Sequence, residues 1–512
     1  MSPIPPSAHK TQRWDGLPAE IRHMILWALV QDGQCKLAPL TTVSREWQVE
    51  LERHTFARIK LTPSRLADFH SMVHRNRALV GYIWFCLELD DYDCTKCAPG
   101  QVPPRPNLDE LAELLDTSDT DKCPITASFH NLFSVLSTWE DPRGGLTLDI
   151  SIYSPSDPEI WLNFLNFDDD DVDDPQHGWV AGSRHTAPHR WAFHKVFNVV
   201  MEPGPFDSDD AEFEWWDQLP SVPAVTSLLL RQQNHRRWNP NALAHMLARF
   251  PRLQEVHYEL WRGWCRFQRP TDKEYHNLFE SIQRANIHLK RLVVFENFHQ
   301  QYPAILQRLL NVEEMEKCES IRDPHPVVGR MVAIASLQLE HLAASFIVDA
   351  GHFFAIEPSW EWPKLTSLVL TSNVLRPGED PVQMEAMLHA AAAAAMRMPR
   401  LETMEIWNGR KGLAAAFQYQ TLPNARRATV TWRATWAWTM EPLLIRVWEA
   451  VIHHRYDDTW SLAVAQEQLD TAAIKSPGDA IPCLRLSGQV IRPVSLQQIQ
   501  MEQKSLEGAR TV

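Results

Sequence analysis

Between Leu17 and Leu29 the apolar residues are Leu17, Ile21, Met24, Ile25, Ala28 and Leu29. Their spacing of threes and fours places them on one face of an amphipathic helix. Pro18 suits the first helical position, where a missing N–H costs little, and Glu20 suits the positive end of the helix dipole. A polar break from Gln31 to Lys36, containing Gly33, stops this helix. Leu37, Leu40, Val43 and Trp47 then resume the threes and fours, which predicts a second short helical piece.

Beyond a turn at Leu61-Thr62-Pro63-Ser64 and a helix to Arg75, the pattern changes period. Val80, Ile83, Phe85, Leu87 and Leu89 read as a strand, because the last four alternate strictly. A helix over 125–138 presents Ile125, Phe129, Leu132, Phe133 and Leu136 on one side. A strand follows at Leu146, Leu148, Ile150 and Ile152; the polar Thr147, Asp149 and Ser151 between them predict that only one face is buried. The motif apolar-x-x-apolar-x-apolar then recurs at Val225/Leu228/Leu230, Leu253/Val256/Tyr258, Leu289/Leu292/Val294, Leu339/Leu342/Ala344, Leu365/Leu368/Leu370 and Leu401/Met404/Ile406, with a weaker copy at Ala425/Ala428/Val430. Three copies enter through Phe250-Pro251-Arg252, Trp362-Pro363-Lys364 and Met398-Pro399-Arg400, where the Pro ends a helix and the next Leu opens a strand. Helical segments such as Asn241–Arg249 and the Ala-rich Val382–Arg397 lie between. Toward the end, alternation from Val430 to Trp438 predicts a long strand and Pro442 opens a helix to 455. A short strand is expected near Cys483–Leu486 and a polar helix from about Ser495.

Two resemblances rest on these residues. The pattern LP-x-E-I-x-x-x-I-L, then L-x-x-L-x-x-V-S-R-x-W, carried by Leu17, Pro18, Glu20, Ile21, Ile25, Leu26, Leu37, Leu40, Val43, Ser44, Arg45 and Trp47, resembles the F-box. The resemblance implies docking onto the Skp-type adaptor, and through it cullin, of a Skp–cullin–F-box ubiquitin ligase, held by Leu17, Pro18, Ile21, Ile25, Leu40, Val43 and Trp47. The strand-plus-helix unit with its L-x-x-L-x-L core resembles irregular leucine-rich repeats, although the usual Asn is missing; the plain alternative is a nonrepetitive α/β domain with an open sheet. Taken whole, the order of segments resembles F-box-like proteins of filamentous fungi. The expected fold is α+β: a flexible tail at 1–13, an F-box at 14–60, an irregular leucine-rich-repeat-like α/β solenoid at 61–455 with an acidic insert at about 153–224, and a C-terminal cap and tail at 456–512.

Composition narrows the function. A net charge of −14 and a pI near 5.9 argue against nonspecific nucleic-acid binding, which needs a basic face. The eight cysteines, at 35, 86, 94, 97, 123, 265, 318 and 483, are too scattered for a disulfide framework and suit reduced thiols. The polar, Pro-rich first residues lack a signal peptide's apolar core, and no apolar run approaches a membrane span, so a soluble cytoplasmic or nuclear protein is expected.

Candidate chemistry is sparse. Cys94 and Cys97 form the one CxxC, without the second pair that zinc favours, and read as free thiols. The tract Asp168–Asp174 lacks the Gly and distal Glu of a calcium loop. There is no G-x-S-x-G, Walker loop, H-E-x-x-H or dinucleotide fingerprint, and with 18 Gly phosphate-cradling loops are not expected. Neither enzyme activity nor a cofactor is therefore predicted. The sequence does offer a basic, aromatic rim: Arg231, His235, Arg236 and Arg237 follow one strand, and Trp261, Arg262, Trp264, Arg266 and Arg269 follow the next. Arg and Trp are the residue types most frequent at binding hot spots, which makes Arg231, Arg236, Arg237, Trp261 and Arg262 candidates for client binding. The reading is a substrate-recognition subunit that binds an adaptor and a protein client; the alternative is a non-enzymatic scaffold whose F-box-like helices only cap the solenoid.

Overall fold

A computed structural model of the chain describes residues 14–32, 36–89, 124–139, 144–155, 199–200, 206, 208–263, 268–298, 321–355, 357–456, 459–488 and 490–508. Among them it is mixed α/β, with fourteen α-helices and one large open sheet. The strands are β1 (Arg58–Leu61), β2 (Tyr82–Glu88), β3 (Leu146–Tyr153), β4 (Val199–Val200), β5 (Val225–Leu230), β6 (Arg237–Trp238), β7 (Glu255–Trp261), β8 (Arg291–Asn297), β9 (His341–Asp349), β10 (Ser367–Thr371), β11 (Thr403–Arg410), β12 (Leu413–Leu422), β13 (Arg427–Ala434) and β14 (Ser461–Gln468). Twelve of them lie side by side in chain order, while β4 and β6 pair separately. Neighbours from β1 to β11 are parallel. The β11–β12 and β12–β13 pairs are antiparallel and β14 runs parallel to β13.

Apart from the weak copy at Ala425/Ala428/Val430, the middle position of each recurring motif falls into one row across the sheet. Ile83, Leu148, Leu228, Val256, Leu292, Leu342, Leu368 and Met404 sit abreast, all buried. Because strand side chains alternate between faces, this row and the next at i+2 line one face. A first helical group at the N-terminus comprises α1 (Ala19–Gln31), α2 (Leu37–Leu40) and α3 (Arg45–Thr55). The connections then carry α4 (Pro63–Val73), α5 (Pro124–Ser137), α6 (Asp209–Gln218), α7 (Pro240–Ala248), α8 (Gln268–Ala285), α9 (Pro326–Ala335), α10 (Ala350–Phe353), α11 (Pro381–Ala395) and α12 (Pro442–Arg455). The apolar sides of α4 to α12 pack on the motif rows as one continuous core. Proline opens most of these helices, and Asn239, His325 and Asp380 cap α7, α9 and α11 through their side chains.

The opposite face of the sheet carries a second core. Val293, Phe295, Ala343, Val369, Trp407, Ala414 and Ala416 face a C-terminal segment that contains α13 (Pro477–Leu484) and α14 (Pro493–Gly508). A register shift in β9 turns Phe346, at φ 66°, into this layer, where its ring meets Phe295, Phe298 and Trp407.

Several expectations change here. Asp149 and Ser151 on β3 are fully buried, not solvated, because Arg231 and Trp84 take up their side chains. The expected strand near Cys483–Leu486 is the end of α13, which starts at a Ser476–Asp479 capping box and stops at Arg485 in the left-handed region. The alternation from Val430 ends as a strand at Ala434, after which Trp436 and Trp438 fold back onto Trp432. Strands β12 and β14 were not predicted. Residues beyond 456 extend the sheet by β14 and then cross its second face; they do more than close the end of an array.

The crossing is tight at Gly409, where an added Cβ would lie 2.5 Å from the Ala480 Cβ of α13 and 3.0 Å from the Trp407 ring. Neither neighbour is a flexible chain end, so Gly409→Ala is expected to destabilise the protein by about 1–3 kcal/mol. Hydrogen exchange should show the loss first in α13; unchanged protection there would contradict the close contact.

Candidate functional site

Two surfaces bear on function. The first is the N-terminal helical group. Pro18 precedes α1 as its cap residue, one position earlier than the sequence suggested. Ser44 caps α3 by accepting from the Trp47 N–H at 3.3 Å. The helices are tied by polar contacts: Arg22 to Glu46 at 3.0 Å, His23 to Glu50 at 3.3 Å, and the Trp14 indole N–H to Glu46 at 3.0 Å. Trp14 and Trp47 have ring centroids 5.1 Å apart. The one buried residue of α1 is Leu26. Most of the predicted apolar stripe points away: Ile21 is 41% exposed, Met24 63% and Ile25 37%, while Leu29 is half-buried; Trp27, outside the stripe, is 54% exposed and Val43 in the following turn 59%. Pro18 is exposed; Leu17, Leu40 and Trp47 are half-buried.

The second surface is the expected basic rim, and the structure corrects it. Arg231 is buried in an ion pair with Asp149, beside the Tyr82 hydroxyl and with its guanidinium 5.6 Å from the Trp84 ring. Trp261 is buried and donates its indole N–H to the Gln232 carbonyl at 2.7 Å. Arg262 is also buried, while Arg236 and Arg237 are half-buried. Arg231, Trp261 and Arg262 are therefore interior groups, not members of an open rim. Arg231 is taken up by Asp149 and Tyr82, and Trp261 shares one small cavity with Ile499, Glu502 and Gln503 of the C-terminal segment.

What the rim hides is a polar seam. Glu259 on β7 accepts from the Arg492 N–H at 2.9 Å and from the Ser495 hydroxyl. Gln232 donates to the Ser495 carbonyl at 2.7 Å and Gln233 to its hydroxyl at 3.1 Å. His235 meets Glu502 at 2.6 Å, and Gln498 donates to the same carboxylate. Further along, Glu405 on β11 accepts from the Ser487 N–H at 3.0 Å and its hydroxyl at 2.7 Å, and from Gln418 at 2.9 Å. Burial raises the pKa of both Glu259 and Glu405, partly offset by these donors. Of the seam, the sequence singles out only His235, and as a member of the basic rim. The available signal was a carboxylate inside an otherwise apolar strand, at Glu259, Glu296 and Glu405.

Cys86 is buried, which pushes its thiol up to about 12 and leaves it inert. Among the described residues no group of three or more His, Cys, Asp or Glu side chains is placed to hold a metal ion. Cys94, Cys97 and the Asp168–Asp174 tract lie outside the described residues, as do Trp264 and Arg266. No helix among the described residues is long and apolar enough to cross a membrane.

A search among curated proteins finds no match. Residues 284–492, less than half of the chain, match a family model whose description is a family of unknown function (DUF6546). The match runs from the end of α8 through β14 and α13 and stops just before α14.

Proposed function

We propose that this protein is the substrate-recognition subunit of a Skp–cullin–F-box ubiquitin ligase, with α1 to α3 as the F-box. In this reading residues 61–455 form an irregular leucine-rich-repeat-like array that presents a protein client. The chain carries out no bond chemistry itself; it contributes by proximity, holding the client near the ubiquitin donor. One observation carries the reading. Of the twelve exposed large apolar side chains among the described residues, six lie between Ile21 and Val49. A helical cap would turn that stripe inward against the sheet, whereas a docking helix leaves it for a partner.

The experiment is copurification with a Skp-type adaptor. Ile21→Asp/Ile25→Asp should weaken capture by about 100-fold or more, since charges would enter the centre of an apolar contact. Both side chains are exposed, so the melting temperature should not move. Leu443→Asp, at another exposed apolar position on α12, is the control and should leave capture intact. Equal recovery of wild type and the double variant would end the proposal.

A further inference from the structure

The sheet ends on two unlike edges. At the first, β1 is four residues long and basic: the Arg58 guanidinium lies 4.5 Å from the Tyr82 ring and the Lys60 ammonium 4.8 Å from the Trp84 ring. Short length and positive charge keep an edge strand from pairing with another chain. The last edge, β14, has neither protection. It is eight residues long, pairs with β13 in unbroken register, and contains no Lys, no Pro and a single charge, Glu467. Among the described residues no strand lies beyond it, and Ser461, Val464, Ala465, Gln466 and Gln468 are exposed.

The backbone fixes which groups this edge offers. The Ser461 N–H donates to the Arg426 carbonyl at 3.4 Å and the Leu469 N–H to the Ala434 carbonyl at 2.8 Å. Odd-numbered residues thus turn their backbone groups toward β13. Because a strand alternates, Leu462, Val464, Gln466 and Gln468 turn theirs outward. Their side chains share the face of Val430 and Trp432, on which α12 packs.

Charges on the other face select the occupant. Glu467, near the end of β14, is held by Arg433 and Arg485, each at 2.9 Å. At the start of β14, Ser461 stands beside Arg427 of β13, which is exposed. An antiparallel copy turned about Val464 places each Glu467 opposite Ser461 of the other copy. Arg427 of that copy then lies two strand spacings from the carboxylate's strand, about 10 Å, with only a serine between. The two Glu467 side chains end up about 20 Å apart. Turning about Gln466 instead would bring them to diagonal positions, a like-charge contact.

We propose that β14 pairs antiparallel with β14 of a second copy about a two-fold axis through Val464, joining two twelve-stranded sheets into one. Val464 faces Val464, Leu462 faces Gln466, and each Arg427 reaches Glu467 of the other copy. The contact is small, so the dimer is reversible. The N-terminal helices adjoin β1, at the far end of the sheet, and the pairing is independent of what they dock.

Sedimentation velocity on the full chain tests this. Wild type should pass from monomer to dimer with rising concentration, half-associated at about 10 µM. Val464→Pro removes one outward N–H, and Val464→Lys sets two like charges on the axis. Neither touches a backbone bond to β13, so each should keep a melting temperature close to wild type and weaken association at least about tenfold. Arg427→Glu should weaken it about fivefold or more. Under mild oxidation Val464→Cys should give a disulfide-linked dimer, because directly opposed antiparallel Cα atoms lie about 5.5 Å apart. Gln468→Cys, on the same edge but far from the axis, should not. A wild type that stays monomeric to about 100 µM would overturn the proposal and leave the edge to an extended segment of a different chain. So would a dimer indifferent to both Val464 variants, or cross-linking through Gln468→Cys equal to that through Val464→Cys.

Discussion

Arg231→Ala is expected to lower the stability of the chain by about 3–5 kcal/mol, the cost of leaving one partner of a buried ion pair without its opposite charge. Both Arg231 and Asp149 have fully buried side chains, and the Tyr82 hydroxyl donates to the same carboxylate. With the guanidinium gone, Asp149 keeps that phenol but has lost its counter-charge between β2 and β5. The paired change Arg231→Met/Asp149→Leu removes both charges and should recover most of the loss. Arg249→Ala is the comparison. Its partner Asp217 is 66% exposed, so its removal should cost about 1 kcal/mol or less. Urea denaturation followed by tryptophan fluorescence measures all three. A loss for Arg231→Ala no larger than that for Arg249→Ala would contradict the burial.

That result would also explain why the sequence misplaced Arg231. An Arg after an apolar strand, followed within six residues by two more, is the local pattern of a solvated loop. The pattern holds no information about Asp149 on β3, which takes up the Arg231 guanidinium, or about a helix more than two hundred residues later. Yet Ser495 reaches Glu259 across 236 positions of sequence, and Glu502 reaches His235 across 267. The face packed by α4 to α12 was readable because its cover is local: each motif is followed by its own helix, so spacing alone places both layers. The other face takes its cover from one distant segment. Several of its strand residues (Asp149, His257, Glu259, Glu405) are polar, which in an isolated strand signals water. Helix α13 was misread for a related reason. Cys483–Leu486 alternates weakly over four residues, and the Ser476–Asp479 capping box, the stronger signal, lies just upstream. For α1 the stripe was readable and its direction was not, since periodicity shows that a helix has an apolar face and leaves open what that face meets.

Arg322→Met should cost about 3–5 kcal/mol as well, and here the loss should depend on pH. Arg322 binds Glu296 of β8 through Nε at 2.9 and 3.0 Å and through Nη2 at 2.8 Å, and it holds Asp272 of α8 through Nη1. Its guanidinium lies 5.3 Å from the Tyr275 ring. One cation thus serves two buried carboxylates, and Met fills the space while supplying no charge. Burial already holds the pKa of Asp272 above the usual carboxylate value, and the Arg322 charge pulls it partly back. Without Arg322 that pull is gone and the folded-state value rises further. A carboxyl whose pKa is higher folded than unfolded contributes stability that is fully present below its unfolded pKa and is lost as pH rises through its folded pKa. The deficit of Arg322→Met should therefore be largest near pH 7 and shrink toward about pH 4, where Asp272 is protonated in the variant. Adding Asp272→Asn should weaken the pH dependence, because one of the two buried carboxylates left without Arg322 is gone while its shape remains. Denaturation series at several pH values test this; a deficit of the same size throughout would place the cost in packing around Tyr275 and not in the stranded charge.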